Sequence, residues 1–145
     1  MLFAAAIVFG FSTASLLLNI NRIRVKMKGM ENYRMDLDKV IAGYFAAIRA
    51  KDIEGLMALY ASDASFSLPD GRQFSGTDAI RAMHLSVFAA SAPQPSPGRT
   101  IIAPSAAAVE IEARLPDGSV RHTTNHFFLN KDGKIERLSV YVKTG

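Results

Sequence analysis

Cysteine and tryptophan are both missing from this chain of 145 residues. Without cysteine there is no disulfide scaffold, no thiolate metal site and no cysteine nucleophile. Charged residues make up only 21% of the chain and apolar residues 49%, a balance that excludes a disordered protein. Glycine-rich phosphate loops and the nucleophile elbow are missing too, which removes common signatures of nucleotide binding and of serine hydrolases.

Acidic residues are missing from the first thirty positions, whose charged side chains are Arg22, Arg24, Lys26 and Lys28. These four side chains account for the whole formal net charge of +4, so residues 31–145 are neutral overall. The high isoelectric point therefore belongs to the N-terminal segment. A neutral domain without a basic stripe gives no support for a nucleic-acid partner.

Residues 1–20 carry no charge and are about long enough to cross a bilayer as a helix. The basic cluster follows this run, which is the wrong side for a cleaved signal peptide and favours a signal anchor with a cytoplasmic domain. A misassigned start is the alternative, because Met27, Met30 and Met35 all precede a helix-start pattern. We expect an apolar leader at 1–30 and one domain at 31–145, with membrane contact confined to residues 1–28.

The first part of the domain carries helical patterns. Apolar residues recur at helical spacing and predict a helix over Asp36–Ala50, with Asp36 as its N-cap. A short second helix is predicted from Asp52 and a third from Gly76. Between them, Pro69-Asp70-Gly71 predicts a hairpin turn.

The last third of the domain has the alternation typical of strands. The three prolines of Ser91–Gly98 predict a loop ahead of this region. Strands are predicted at Thr100–Ile102, Val109–Arg114, Ser119–Leu129 and Lys134–Lys143, with turns at Asp117-Gly118 and Asp132-Gly133. Helices followed by a long antiparallel sheet indicate an α+β fold.

Several loose motifs in a fixed order give residues 40–143 a family resemblance. They are Lys51-Asp52-Ile53-Glu54-Gly55-Leu56-Met57, Leu59-Tyr60-Ala61-Ser62-Asp63-Ala64, Pro69-Asp70-Gly71, Phe74-Ser75-Gly76-Thr77-Asp78-Ala79-Ile80 and Phe127-Phe128-Leu129 ahead of Asp132-Gly133-Lys134-Ile135. Together they resemble the SnoaL-like branch of the NTF2-like superfamily, which includes ketosteroid isomerase. The resemblance implies a curved antiparallel sheet forming a cone-shaped barrel, closed by three N-terminal helices around an apolar pocket. It also implies a homodimer through the outer sheet face.

The resemblance assigns roles to five positions. Tyr44 falls where the isomerase keeps its oxyanion tyrosine, and Tyr60 matches a second tyrosine of that hydrogen-bonded group. His84 falls where some members of the family carry a third. Asn125 falls where the isomerase holds a protonated aspartic acid. Leu68 falls where the isomerase has its catalytic aspartate, so the carboxylate that moves the proton there is missing from this chain.

The implied chemistry needs hydrogen-bond donors and a base. Tyr44 and Asn125 could donate to one carbonyl or enolate oxygen, and asparagine does so without any pKa tuning. His84 is the candidate general base, since histidine titrates near neutral pH. A tyrosine or histidine on an apolar helical stripe is also typical of a satisfied core residue, and an asparagine in a strand can simply bond a neighbouring strand.

The remaining pocket residues follow from the predicted inner face and from the resemblance. They are Phe45, Tyr60, Leu68, Val109, Ile111, Thr123, Phe127 and Val140. A metal pair at His122 and His126 is rejected, because a strand would hold the two side chains about 13 Å apart. The alternation predicts both histidines on the outer face, opposite Thr123 and Asn125.

These observations predict a protein that binds a small apolar carbonyl compound, without metal or other cofactor. It would act as an isomerase, cyclase or hydratase through an enolate-like intermediate. The alternative is a non-catalytic ligand-binding or dimerisation module, which Leu68 at the base position favours.

Overall fold

The structure, a computed structural model, describes residues 13–90 and 94–144. The chain divides into two compact units, Met1–Tyr33 and Arg34–Gly145. Within the described ranges there are three helices and six strands. In chain order they are α1 (Thr13–Ala50), α2 (Ile53–Met57), β1 (Tyr60–Ser67), β2 (Gln73–Ser75), α3 (Thr77–Ala89), β3 (Gln94–Ala103), β4 (Ala106–Arg114), β5 (Val120–Leu129) and β6 (Ile135–Val142).

Helix α1 is much longer than the sequence predicts. The expected start at Asp36 is wrong, because the helix already begins at Thr13. Residues 13–36 contain no proline and one glycine, Gly29, and are rich in leucine, arginine, lysine and methionine, so local propensity sustains the helix through Asp36. Burial begins at Leu37, which is 1% exposed and opens the apolar stripe that belongs to the second unit.

The N-terminal leader lies partly outside the described residues. Of the apolar run at 1–20, the structure describes only residues 13–20, which form the first turns of α1. In the part of the chain that is described, no helix is long and apolar enough to span a membrane. The signal anchor stays a prediction.

The second helix begins where the sequence places it. Asp52 is the N-cap of α2, and its Oδ1 accepts a hydrogen bond from the Gly55 backbone N–H at 2.9 Å. This bond satisfies one of the N–H groups that a helix start leaves without a partner. Glu54 then accepts two hydrogen bonds from the Arg81 guanidinium, which ties α2 to α3.

The six strands form one sheet in the order β2-β1-β6-β5-β4-β3. The α+β class is confirmed, with the sheet curved and unclosed rather than sealed into a barrel. One pair departs from the antiparallel pattern, since β1 runs parallel to β6. Tight turns set the antiparallel pairs, whereas β1 and β6 are distant in sequence and no turn fixes their direction. Helix α3 follows β2 in the chain, so the three helices are not all N-terminal to the sheet.

Strand β3 replaces most of the predicted loop at Ser91–Gly98. Residues 91–93 lie outside the described residues, but Pro95 and Pro97 are paired with Ala113 and Ile111 of β4, so the loop prediction is wrong from Gln94 onward. An edge strand has a neighbour on one side only, and a proline there lacks an N–H that the sheet does not need. The register shifts between Pro97 and Thr100, which is a β-bulge.

The predicted hairpin turns are confirmed. Gly118 and Gly133 have φ angles of +84° and +73°, conformations that residues with a side chain rarely adopt. They join β4 to β5 and β5 to β6. The resulting alternation turns Val109, Phe127 and Leu138 inward, where each is fully buried under the helices.

We predict that the Asp52 cap makes alanine unfavourable at Gly55. A Cβ at Gly55 would overlap the Asp52 carboxylate, which would have to leave its capping position. Gly55→Ala should therefore lower the free energy of unfolding by about 1 kcal/mol in urea titration. In an Asp52→Ala background the same change should be neutral or stabilising, because alanine favours the helix. Equal losses in both backgrounds would contradict the capping argument.

Candidate functional site

A cavity of about 200 Å³ lies within the second unit, between the inner face of the sheet and helices α1 and α3, and is partly open to solvent. Its walls come from four parts of the fold: α1, α3, the β1 region and the inward positions of β3 to β6. The lining residues are Tyr44, Phe45, Ile48, Phe66, Leu68, Met83, His84, Val87, Pro95, Ile111, Ala113, Thr123, Asn125 and Val140. An apolar cavity of about 150 Å³ holds benzene, so this one has room for a ring with substituents.

Among the residues that the structure describes, the cavity wall carries no carboxylate, lysine or arginine. Its polar side chains are Tyr44, His84, Thr123 and Asn125, and everything else is apolar. A charged group entering it would lose its hydration without gaining a counter-charge. The wall therefore favours a neutral ligand with a largely apolar body.

Tyr44 is positioned by aromatic packing. It lies on the buried stripe of α1, and its ring meets Phe127 of β5 edge-on, with ring centres 5.2 Å apart. Phe45, the next residue, packs against the same Phe127 ring at 6.3 Å. Such edge-to-face contacts are favourable and directional. They fix the tyrosine between helix and sheet, where it lines the cavity.

His84 lies on α3 and is 3% exposed. Its Nε2 is 3.2 Å from the hydroxyl oxygen of Tyr60, a buried hydrogen bond between α3 and β1. The rings of Phe66 and Phe88 lie at 5.4 and 6.2 Å from the imidazole, and Tyr44 lies at 6.3 Å. The imidazole is therefore enclosed by aromatic rings, and none of the described residues that line the cavity gives it an acidic partner.

Burial sets the protonation states of this cluster. It lowers the pKa of His84 from its ordinary value of 6.5 to about 4, so the ring is neutral at pH 7. Burial also raises the pKa of Tyr44 and Tyr60 well above the usual 10, so both phenols keep their protons. Burial is the largest cause of the pKa shift for each of the three groups.

The hydrogen bond between Tyr60 and His84 fits either tautomer of the neutral ring. With the ring proton on Nε2, His84 donates to the Tyr60 oxygen and the lone pair is on Nδ1; with the ring proton on Nδ1, Tyr60 donates to Nε2. Tyr44 keeps its phenolic proton at neutral pH and can donate a hydrogen bond to a ligand in the cavity.

Asn125 lies on β5, opposite Val109 of β4 and Val140 of β6. It is 6% exposed, and its Oδ1 has no hydrogen-bond donor within reach among the described residues. Most buried polar atoms in proteins are paired, so an orphaned acceptor in a cavity wall needs an explanation. The expected N–H donor role of this residue stays a prediction.

The structure brings together most of the predicted site residues. Tyr44, Phe45, Leu68, His84, Ile111, Thr123, Asn125 and Val140 all line the cavity. Tyr60, Val109 and Phe127 do not: they lie in the core beside it, at 5%, 0% and 0% exposure. Tyr60 is hydrogen-bonded to His84, and Phe127 packs against Tyr44 and Phe45 of α1.

Sequence reasoning did not place Ile48, Phe66, Met83, Val87, Pro95 or Ala113 in the cavity wall. The helical stripes already contained Ile48, Met83 and Val87, so their spacing was a usable signal. Pro95 was missed because Ser91–Gly98 was predicted to be a loop, and the sequence does not show that residue 95 belongs to an edge strand.

The two histidines rejected as a metal pair lie on the outer face of β5. His122 approaches Glu112 of β4 at 3.9 Å, and the His126 ring packs on Tyr141 of β6 at 4.8 Å. A groove of about 310 Å³ on this face is lined partly by charged groups, including Glu110, Glu112 and Lys143. It is larger than the inner cavity but contains none of the aromatic cluster. Dimerisation through this face stays a prediction.

We predict that acid destabilises the protein through His84. Unfolded histidine titrates near 6.5 and folded His84 near 4, so the unfolded chain binds more protons as the pH falls between these values. The contribution of His84 should fall by about 2–3 kcal/mol in urea titrations from pH 7 to pH 4. His84→Gln should flatten this part of the profile, whereas His126→Gln on the outer face should not. Direct NMR titration giving His84 a pKa above 6 would contradict the burial argument.

Comparison with known proteins agrees with the geometry. The SnoaL-like domain model matches residues 41–138. None of the curated proteins matches the chain. Among solved structures, an NTF2-like protein of unknown function from Mesorhizobium loti is 20% identical, with a TM-score of 0.67 over 76% of this chain and 93% of that one. A candidate ketosteroid isomerase from Kribbella flavida is 17% identical, with a TM-score of 0.67 over 77% and 80% of the two chains.

A third solved structure is the epoxide hydrolase/cyclase-like enzyme SalBIII, which has a role in pyran ring formation in the polyether salinomycin. It is 19% identical, with a TM-score of 0.64 over 74% of this chain and 90% of that one. At these identities the three structures support the fold alone. The match to the domain model covers more than half of the sequence, and the chain therefore belongs to the SnoaL-like domain family.

Proposed function

We propose that the protein binds a small, neutral, largely apolar molecule in the cavity under the sheet. One observation carries this proposal: the described part of the cavity wall has no charged side chain but contains four polar groups at separate positions. Small-molecule sites typically combine an apolar lining with a few placed polar groups that orient the ligand. The volume of about 200 Å³ suits one or two rings, and the open side lets a larger molecule extend into solvent.

We expect a neutral bicyclic ketone to raise the melting temperature, and a carboxylate on the same carbon frame to leave it unchanged. 2-Decalone and decahydronaphthalene-2-carboxylate are such a pair. A ligand at roughly ten times its Kd should raise the melting temperature of a domain this size by about 5 °C. Differential scanning calorimetry measures the shift.

A pair of variants assigns the shift to the cavity. Ala113→Phe places a ring in the cavity wall and should abolish the response. Ala108→Phe is the matched control, because Ala108 lies on the same strand but lines a groove on the opposite face. An equal response from both variants, or a stronger response to the carboxylate, would refute binding in this cavity.

A second candidate function is proton transfer on a bound carbonyl compound. The observation that favours it is that a neutral imidazole, His84, and a protonated phenol, Tyr44, both line the cavity, with ring centres 6.3 Å apart. In the tautomer that carries the ring proton on Nε2, Nδ1 would take a proton from the carbon next to the carbonyl while Tyr44 donates a hydrogen bond to the oxygen. Returning the proton to another carbon completes an isomerisation, with no net change in atoms.

The missing carboxylate at Leu68 and the low pKa of His84 limit how a proton could be moved in this cavity. Leu68 lines the cavity where the isomerase has its carboxylate, so His84 is the only side chain of the described wall that can act as a base. Its low pKa keeps it unprotonated at pH 7 but makes it a weak base. If the reaction does not occur, the same cavity serves a non-catalytic binding module, the alternative that Leu68 favours.

We expect the protein to catalyse exchange of the α-protons of 2-decalone in D₂O, because enolisation requires only the base and the oxygen donor. The loss of the α-proton NMR signals measures the rate. Tyr44→Phe should slow the exchange on the order of a hundredfold, and His84→Gln should reduce it to the buffer rate. His126→Gln, which alters a histidine on the outer face, should exchange at the wild-type rate. Wild-type exchange no faster than in buffer would contradict catalysis and leave the binding module.

A further inference from the structure

We propose that residues 16–30 of α1 lie along the surface of an anionic membrane, with one apolar face of the helix among the lipid chains and basic side chains on the headgroups. This inference goes beyond the proposed cavity binding and does not depend on it. It also differs from the signal-anchor prediction, in which the apolar run 1–20 crosses the bilayer. Its basis is a set of exposed apolar side chains, the apolar row: Leu16, Ile20, Ile23, Met27 and Met30.

The apolar row forms one face of a regular helix. Its members follow one another at alternating spacings of four and three residues, which places them on one side of a helix with about 3.6 residues per turn. From its first residue to its last, the row extends for about 21 Å. The five side chains are 38–57% exposed, so nothing in the described part of the chain covers them. A contiguous apolar surface of this kind marks an interaction site.

Basic residues border the apolar row on both sides. With about 100° of rotation per residue, Arg24 and Lys26 lie about 80° from its centre, one on each side. Arg22 and Lys28 lie about 120° from the centre, again one on each side. None of the four forms an ion pair among the described residues, and the first acidic residue of the chain is Glu31. Long basic side chains in these positions can reach the headgroups while the apolar face is buried, an arrangement typical of helices in the membrane interface.

The charge of this segment favours anionic lipid over a second copy of the chain. Residues 16–30 carry four positive side chains and no negative one. Two copies packed along the apolar row would bring like charges together, and their seam would be only about two heptads long, which is marginal for isolated helices. Anionic headgroups instead attract each basic side chain near the surface and raise the partition coefficient by about fivefold per residue. A negatively charged lipid surface therefore matches both the apolar row and the charges beside it.

Leu18 and Val25 provide a control on the same helix. Both are exposed apolar residues, but they lie about 160° and 180° from the centre of the apolar row. In a helix bound along a membrane surface, this opposite side faces water. Substitutions there change the hydrophobicity of the segment without changing the face that enters the lipid.

Cosedimentation of the full chain with lipid vesicles measures the partition coefficient. The wild type should bind vesicles of phosphatidylcholine with one quarter phosphatidylglycerol about a hundredfold more strongly than vesicles of phosphatidylcholine alone, and high salt should reduce this ratio. The row variant, Ile23→Gln with Met27→Gln, should bind the anionic vesicles about tenfold more weakly than the wild type. The opposite-side variant, Leu18→Gln with Val25→Gln, should change binding by less than about twofold. Glutamine is a good helix former, so both variants keep the helix.

An introduced tryptophan reports which side of the helix meets the lipid, because the chain has no tryptophan of its own. On anionic vesicles, the fluorescence of Ile23→Trp should move to shorter wavelength and be quenched by brominated lipid chains. Val25→Trp should show neither change, since its side chain would face water.

Several results would overturn the proposal. Equal binding of the wild type to neutral and anionic vesicles would contradict the role of the basic residues. Equal losses in the row variant and the opposite-side variant, or equal quenching of the two tryptophans, would contradict a preferred side. A dimer in vesicle-free sedimentation that the row variant loses and the opposite-side variant keeps would assign the apolar row to a second copy instead.

Discussion

The packing of Tyr44 and Phe45 on Phe127 is the contact on which the rest of the site depends. It holds α1 against the centre of β5 and so sets how far the helix stands from the sheet. The space left beside these rings is the cavity, and the Tyr44 hydroxyl is fixed at its wall. Since aromatic pairs in edge-on geometry are directional as well as apolar, the same contact both stabilises the core and orients a functional group. Folding and site geometry therefore share one set of residues.

Burial gives this site its chemical character. The aromatic rings around His84 exclude water from the imidazole, and this burial lowers the pKa of His84 to about 4. The tyrosines respond to the same burial in the opposite direction and stay protonated. A cluster of three titratable groups thus carries no charge at neutral pH, yet its phenols and imidazole still offer hydrogen-bond donors and acceptors. Such a wall distinguishes ligands by hydrogen bonding and shape rather than by charge.

The sequence predicts helix starts and turns best where residues close together in the chain determine them. The Asp52 cap and the glycine turns at Gly118 and Gly133 follow from short-range rules, and all three are present. The start of α1 was missed because an aspartate is tolerated inside a helix as well as at its end, and nothing local distinguishes the two. The site was only partly predictable. The alternation along β5 placed Thr123 and Asn125 on one face of the sheet. The hydrogen bond between His84 and Tyr60, in contrast, joins residues 24 apart in the sequence and depends on tertiary packing. The unpaired oxygen of Asn125 could not be inferred either, since it depends on what the neighbouring strands fail to offer.

The prolines of β3 have a consequence for how the protein behaves in a crowded solution. An unclosed sheet ends in strands whose free backbone groups can recruit another chain and start aggregation. Pro95 and Pro97 lie two residues apart on the edge strand, so the positions where their backbone N–H groups would be are on the same side of the strand. Strand β4 pairs with the other side of β3. The free side therefore lacks two of the N–H donors that an incoming strand would need. Pro95 and Pro97, which are unusual residues for a strand, therefore protect this exposed sheet edge against pairing with another chain.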